Sequence, residues 1–62
     1  MKITDLDKVT LALLLEEGRA KVDELQFHLT MTRQQIRAAL TQLVAQGIVS
    51  YEAPSHNYTL IK

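Results

Sequence analysis

Thr32-Arg33-Gln34-Gln35-Ile36-Arg37-Ala38-Ala39-Leu40-Thr41-Gln42-Leu43-Val44-Ala45-Gln46-Gly47 is the stretch on which the fold of this chain turns. From Ile36, apolar Leu40, Leu43 and Val44 follow at spacings of four, seven and eight, with Ala39 beside them. That period gathers apolar side chains on one face of a helix, and it predicts a helix over residues 32–46. The opposite face then carries Arg33, Gln34, Arg37 and Thr41, joined by Gln35 and Ala38. It is rich in hydrogen-bonding groups and holds two positive charges without a carboxylate. Thr32 is placed to accept a hydrogen bond from the free N–H groups of the first turn, and Gly47 to take the left-handed conformation that closes a helix.

Working outward toward the N-terminus, Thr30-Met31 leaves only a tight connection to a preceding short helix over about Asp23–Leu29. Asp23 is its expected N-cap, Gln26 completes a capping box, and Leu25 and Leu29 form its apolar step. So short a connection makes the two helices cross steeply, with Met31 filling the corner. Before them, Arg19-Ala20-Lys21-Val22 alternates polar and apolar residues over a length suited only to a short edge strand. Earlier still, Leu6, Val9, Leu13 and Leu14 follow helical spacing behind Asp5 as N-cap, and Gly18 stops the run.

Leu11 and Leu15 lie on a second stripe of that first helix, with Ala12 and Lys8 nearby. Either the C-terminal strands cover the stripe, or it packs against a partner or a second copy of the chain, making a homodimer through Leu11 and Leu15. Toward the C-terminus, Ile48-Val49-Ser50-Tyr51 and Tyr58-Thr59-Leu60-Ile61 read as the strands of a hairpin. The turn between them holds Pro54, which presets its backbone angle, and Asn57, which tolerates left-handed geometry.

Sixty-two residues make one domain, spanning residues 1–62, and a chain near this size buries only ~60% of the surface exposed when unfolded. There is no Cys, so neither a disulfide nor a thiolate metal site can staple it, as a reducing compartment would suit. No run approaches the ~18 consecutive apolar residues of a membrane span. Met1-Lys2-Ile3-Thr4-Asp5 lacks the layout of a secretory signal, and the expected location is cytoplasmic. Net charge is zero, which argues against strong non-specific attraction to a polyanion. The charge is unevenly placed, however. Residues 1–24 hold six acids and four bases, whereas residues 25–62 hold Arg33, Arg37 and Lys62 against Glu52 alone, so the mildly basic half contains the 32–46 helix.

The run Val22–Val49 resembles the helix-turn-helix of winged-helix bacterial regulators. The shared pattern is a leucine pair (Leu25, Leu29), a turn, a Ser or Thr cap (Thr32), a polar recognition face, two leucines three apart (Leu40, Leu43) and a glycine before the wing (Gly47). Gly47-Ile48-Val49 resembles the Gly-Leu-Val that leads into the first wing strand. Two positions depart from the pattern: Thr30 stands where the turn usually has Gly, and Gln26 where a small Ala is common. The resemblance covers about residues 5–62. It implies an α+β winged helix, with three helices including the helix-turn-helix and a small C-terminal β-hairpin as the wing.

Among compact relatives the chain is similar to the PapI/FaeA-like fimbrial regulators, small DNA-binding transcriptional regulators. That likeness implies binding to double-stranded DNA together with a larger regulator protein. In the major groove Arg can bond guanine O6 and N7, and Gln can bond adenine N6 and N7, from the first turns of the recognition helix. Arg33, Gln34, Gln35 and Arg37 are side chains of that kind. Gln34 and Arg37 are assigned to bases, Thr32 and Arg33 to phosphate, and Thr41 to the backbone. The bland reading of the same face is a solvated helix surface, since Arg and Gln are good helix formers.

The alternative class is a winged-helix interaction module without DNA binding. FeoC-like proteins resemble the chain in size, but they carry a cysteine cluster in the wing and Ala53–Asn57 has none. A Z-DNA-binding winged helix is disfavoured, because Arg37, Thr41 and Tyr58 stand where that family uses Asn, Tyr and Trp. Phe27 is expected to fold back on the first helix; exposed, it would be a partner contact. His28 and His56 lie far apart without Cys or a carboxylate arrangement, so neither metal nor cofactor is expected. Ser55-His56 lacks the orienting third group and water-excluding pocket of a nucleophilic site. The expectation is a protein that is not an enzyme.

Overall fold

The structure, a computed structural model, describes residues 3–61; Lys2 and Lys62, both counted in the charge balance, lie outside them. The elements run α1 (Asp5–Leu15), β1 (Arg19–Ala20), α2 (Val22–Gln26), α3 (Arg33–Ala45), β2 (Val49–Glu52) and β3 (Asn57–Leu60). Three helices accompany a three-stranded antiparallel sheet of order β1-β3-β2. This is a small α+β fold, and the short strand expected near residue 19 is an edge strand of it.

α1 begins behind Thr4 rather than Asp5. The Thr4 hydroxyl accepts from the Asp7 N–H at 3.2 Å, and the Asp7 carboxylate accepts from the Thr4 N–H at 3.3 Å, so both partners of a capping box are in place. The helix turns Val9, Ala12 and Leu13 to the core and leaves Leu14 58% exposed. Leu14 and Ala12 are thus exchanged relative to the expected stripe, because a helix with leucines on both sides leaves its rotational phase open. Leu11 and Leu15 are 54% and 67% exposed, so the sheet does not cover the second stripe.

At its end, the Gly18 N–H bonds to the Leu13 carbonyl at 2.7 Å and the Glu17 N–H to the Leu14 carbonyl at 3.0 Å. These are the paired bonds of a Schellman closure. Its left-handed position falls on Glu17, with φ +62, one residue before Gly18. A side chain there costs roughly 1–2 kcal/mol, against the larger unfolded-state freedom of glycine at roughly 0.5–1 kcal/mol. Glu17→Gly is therefore expected to stabilise the fold by about 0.5–1 kcal/mol. Thermal unfolding followed by circular dichroism measures this, and a lowered midpoint would contradict it.

α2 starts earlier than expected. Strand β1 delivers the chain in extended geometry to Lys21, whose N–H is accepted by Glu24 Oε1 at 2.9 Å. Lys21 takes the cap position expected of Asp23, and Val22 opens the helix with its side chain buried. Bonds from the Phe27, His28 and Leu29 amides to the carbonyls three residues back carry the turn on to Leu29. Leu25 and Leu29 take the inward positions, and Phe27 between them stands 88% exposed, contrary to the expectation that it folds back on α1. Met31 packs against the core, as expected of the residue at the corner.

Thr32 caps α3 as predicted, and Ile36, Ala39, Leu40 and Leu43 are buried. Val44, expected among them, is exposed at the edge of the face. The Gly47 and Ile48 amides reach back to the Val44 and Leu43 carbonyls, each at 3.0 Å, and Gly47 takes φ +77. Only a residue without a Cβ enters that closure freely.

The register pairs Val49 with Leu60 and Tyr51 with Tyr58. Alternation then puts these four side chains on one face of the hairpin, and Ser50, Glu52, Asn57 and Thr59 on the other. Val49 and Leu60 join the core. On the second face Glu52 accepts from Thr59 Oγ1 at 2.8 Å and lies 3.5 Å from Arg19 Nη2. The left-handed residue of the turn is His56, at φ +63, whereas Asn57 begins β3. The turn expected at Asn57 is thus made one position earlier.

Candidate nucleic-acid interface

The first turn of α3 is held at its cap. Thr32 Oγ1 accepts from the Gln35 N–H at 3.1 Å, and Gln35 Oε1 accepts from the Thr32 N–H at 2.9 Å. This reciprocal pair satisfies two otherwise orphaned donors. It also commits the Gln35 side chain to the cap and turns it toward the groove shared with Thr4, Asp5 and Leu6 of α1. Gln35 is therefore set apart from the face that the sequence assigned it to.

Gln34, Arg37, Ala38 and Thr41 do share one exposed strip, together with Arg33. Their spacing of three and four residues stacks them on successive turns, directly opposite Ile36, Leu40 and Leu43. The Thr41 hydroxyl donates to the Arg37 carbonyl at 2.9 Å, which leaves its oxygen free to accept. Arg33 is engaged with the Asp23 carboxylate of α2, an exposed pair of the kind worth only ~0–1 kcal/mol. Arg37 has no carboxylate partner among the described residues. The two arginines, alike in the sequence, are thus different in kind: one joins the two helices and the other is available to a ligand.

Beside this strip, a cleft of about 350 Å³ lies between the start of α2, the first turns of α3 and the hairpin. It is lined by Lys21, Val22, Asp23, Arg33, Arg37, Tyr51, Ser55, His56 and Tyr58. It holds three cations against a single carboxylate, Asp23. Lys21 and the hairpin residues were not among those that the sequence singled out for binding. They reach Arg37 through pairing of β1 and β2 with β3, a long-range register with no local signature.

Among the described residues no group of three His, Cys, Asp or Glu is placed to hold a metal ion, and no helix is long and apolar enough to cross a membrane. Compared with known proteins, the chain matches no family model, no curated protein and no solved structure. What it does is therefore read from its own surface.

Proposed function

We propose that this chain is a small winged-helix transcriptional regulator that reads the major groove of double-stranded DNA with α3, acting in the cytoplasm. One observation carries this reading: Gln34, Arg37, Ala38 and Thr41 form an exposed strip without a carboxylate at the start of a firmly capped helix. The element order supports it as well. A short strand lies between α1 and α2, and a hairpin follows α3 and pairs back onto that strand, so α2-turn-α3 serves as the helix-turn-helix and the hairpin as the wing.

In this reading Arg37 takes a guanine O6/N7 edge and Gln34 an adenine N6/N7 edge, while Ala38 leaves room for a thymine methyl. The Thr32 end of α3, Arg33 and Thr41 meet the sugar-phosphate backbone. The near-neutral charge gives little non-specific attraction, and a larger regulator bound alongside would supply the remaining affinity. Titration of a labelled duplex at low and moderate salt tests the proposal. Binding at low salt that weakens as salt rises is the expected result, and no binding at low salt would overturn it.

A second reading has its own observation. Leu11, Leu14 and Leu15 stand exposed on the side of α1 away from the core, and a helix apolar on both sides is ordinarily covered on both. A second copy covering this stripe would make the chain a homodimer. Sedimentation at rising concentration should then give a dimer for the wild type and a monomer for Leu11→Glu, whose side chain takes no part in the core. A monomer in both cases would remove the interface.

A further inference from the structure

The distal half of the hairpin presents groups that the reading of α3 does not use. Tyr51 and Tyr58 lie on the same sheet face as the core residues Val49 and Leu60 but nearer the tip. Their ring centroids are 5.0 Å apart. The Tyr51 hydroxyl is 2.6 Å from His56 Nδ1, and both residues line the cleft with Lys21, Arg37 and Ser55. Arg33 and Asp23 largely offset each other there, whereas Lys21 and Arg37 have no carboxylate partner among the described residues. The Ser55 hydroxyl donates to the Glu52 carbonyl at 3.2 Å; two cations without a carboxylate partner, the two tyrosines and an imidazole line the same concavity, a recognition set for an oxyanion.

We infer that the cleft between the hairpin and α3, which adjoins the base-reading strip at Arg37, is a phosphate-binding site centred on Lys21, Tyr51 and His56, and that His56 couples its occupancy to proton uptake. Where the phosphate belongs to a duplex backbone, the inference rests on the DNA reading; a free phosphate would be held by the same groups. A neutral imidazole that accepts through Nδ1 holds the Tyr51 hydrogen to itself. The imidazolium donates from both nitrogens. The Nδ1–H then points to the tyrosine oxygen, the direction of the bond reverses, and the Tyr51 hydrogen is released toward the cleft. One proton taken up therefore adds one positive charge and one hydroxyl donor to the site.

The charged groups that line the cleft with His56 are Lys21, Arg33 and Arg37, with Asp23 as the carboxylate, and Tyr51 and Tyr58 are the tyrosines beside them. Glu52, on the adjoining strand, is engaged on the opposite sheet face by Arg19 and Thr59. A phosphate seated in the cleft meets one more positive charge and one more donor when the imidazole carries both protons. By linkage, phosphate binding takes up a proton and tightens as pH falls.

The test uses the whole chain. A labelled duplex is titrated at mildly acidic and mildly alkaline pH, either side of the range in which imidazoles charge, and inorganic phosphate is titrated separately while the His56 and Tyr51 ring signals are followed by NMR. The expected wild-type result is duplex affinity about tenfold higher at acidic pH, the size of one charge-assisted hydrogen bond. The slope of log affinity against log salt should also steepen by about one. His56→Asn keeps the left-handed turn accessible and should bind duplex with no pH response. Tyr51→Phe should keep the steeper salt slope but show a smaller gain than the wild type. His28→Ala, whose imidazole faces Glu16 between α1 and α2, should respond like the wild type.

A response that survives His56→Asn, or disappears in His28→Ala, would overturn the inference. So would a wild-type duplex affinity equal at both pH values, which leaves the groove reading standing. If the duplex is not bound at either pH, the groove reading fails and the phosphate titration decides. Shifts of His56 and Tyr51 that Lys21→Ala weakens would retain the site for free phosphate, and their absence would end it.

Discussion

Leu40→Ala lowers the melting temperature of this chain by roughly 12–24 °C, the expected result of losing about 3 kcal/mol from a domain of this size. Leu40 is fully buried among Leu13, Leu25, Ile36 and Leu43, so truncation loses the transfer free energy of its side chain and leaves a cavity lined by residues of α1, α2 and α3. For a chain of this length total stability is only about 3–9 kcal/mol, and a single such cavity removes a large share of it. No disulfide is available to offset the loss. Leu11→Ala makes the same chemical change on the exposed side of α1 and should alter stability by no more than ~0.5 kcal/mol. Chemical denaturation of both variants measures the contrast. Equal losses at a concentration where the chain is monomeric would mean that the chain itself covers the stripe of Leu11, contrary to its exposure here.

The second large effect is on binding. Arg37→Ala should weaken duplex affinity by roughly tenfold to a hundredfold, because a bidentate arginine–guanine contact carries about 1–3 kcal/mol of discrimination. It should also relax sequence preference at one position of the site. Arg33→Ala should cost less. Its guanidinium already has Asp23 as partner, so a phosphate contact is made by giving up an ion pair. Both residues are exposed, so neither change should move the melting temperature by more than a few degrees. Fluorescence anisotropy on the two variants decides the order, and equal effects would contradict the distinction drawn between them.

What was legible in the sequence was local. The period of Ile36, Leu40 and Leu43, the cap at Thr32 and the closure at Gly47 all belong to one continuous helix, and each maps onto a hydrogen bond or a buried face of α3. The α1 phase was not legible, because its leucines occupy both sides and only contact with α3 and the sheet selects Val9, Ala12 and Leu13. Nor was the start of α2, where β1 fixes the incoming chain and makes Lys21 rather than Asp23 the cap. Besides the two glycines, left-handed geometry fell on Glu17, whose own preference does not announce it, and on His56, one position before the Asn57 expected to take it.

The candidate site divides in the same way. Gln34, Arg37 and Thr41 followed from helical spacing, while the departure of Gln35 to the cap could be anticipated only from the capping-box pattern begun by Thr32. The pairing of Arg33 with Asp23 spans two helices. The cleft joining Lys21, Arg37, Tyr51 and His56 depends on strand register, which pairs Arg19 with Thr59 and Ala20 with Tyr58 and leaves no trace in either segment alone.

The central claim is that the outward strip of α3 is the surface that meets a duplex. Following the backbone amides of the isotope-labelled chain by NMR during titration with duplex DNA tests it most directly. The account predicts shifts concentrated on Thr32–Thr41 and on the hairpin turn, with Leu11, Leu14 and Leu15 undisturbed. Shifts confined to α1, or none at a salt concentration low enough to favour polyanion binding, would contradict it.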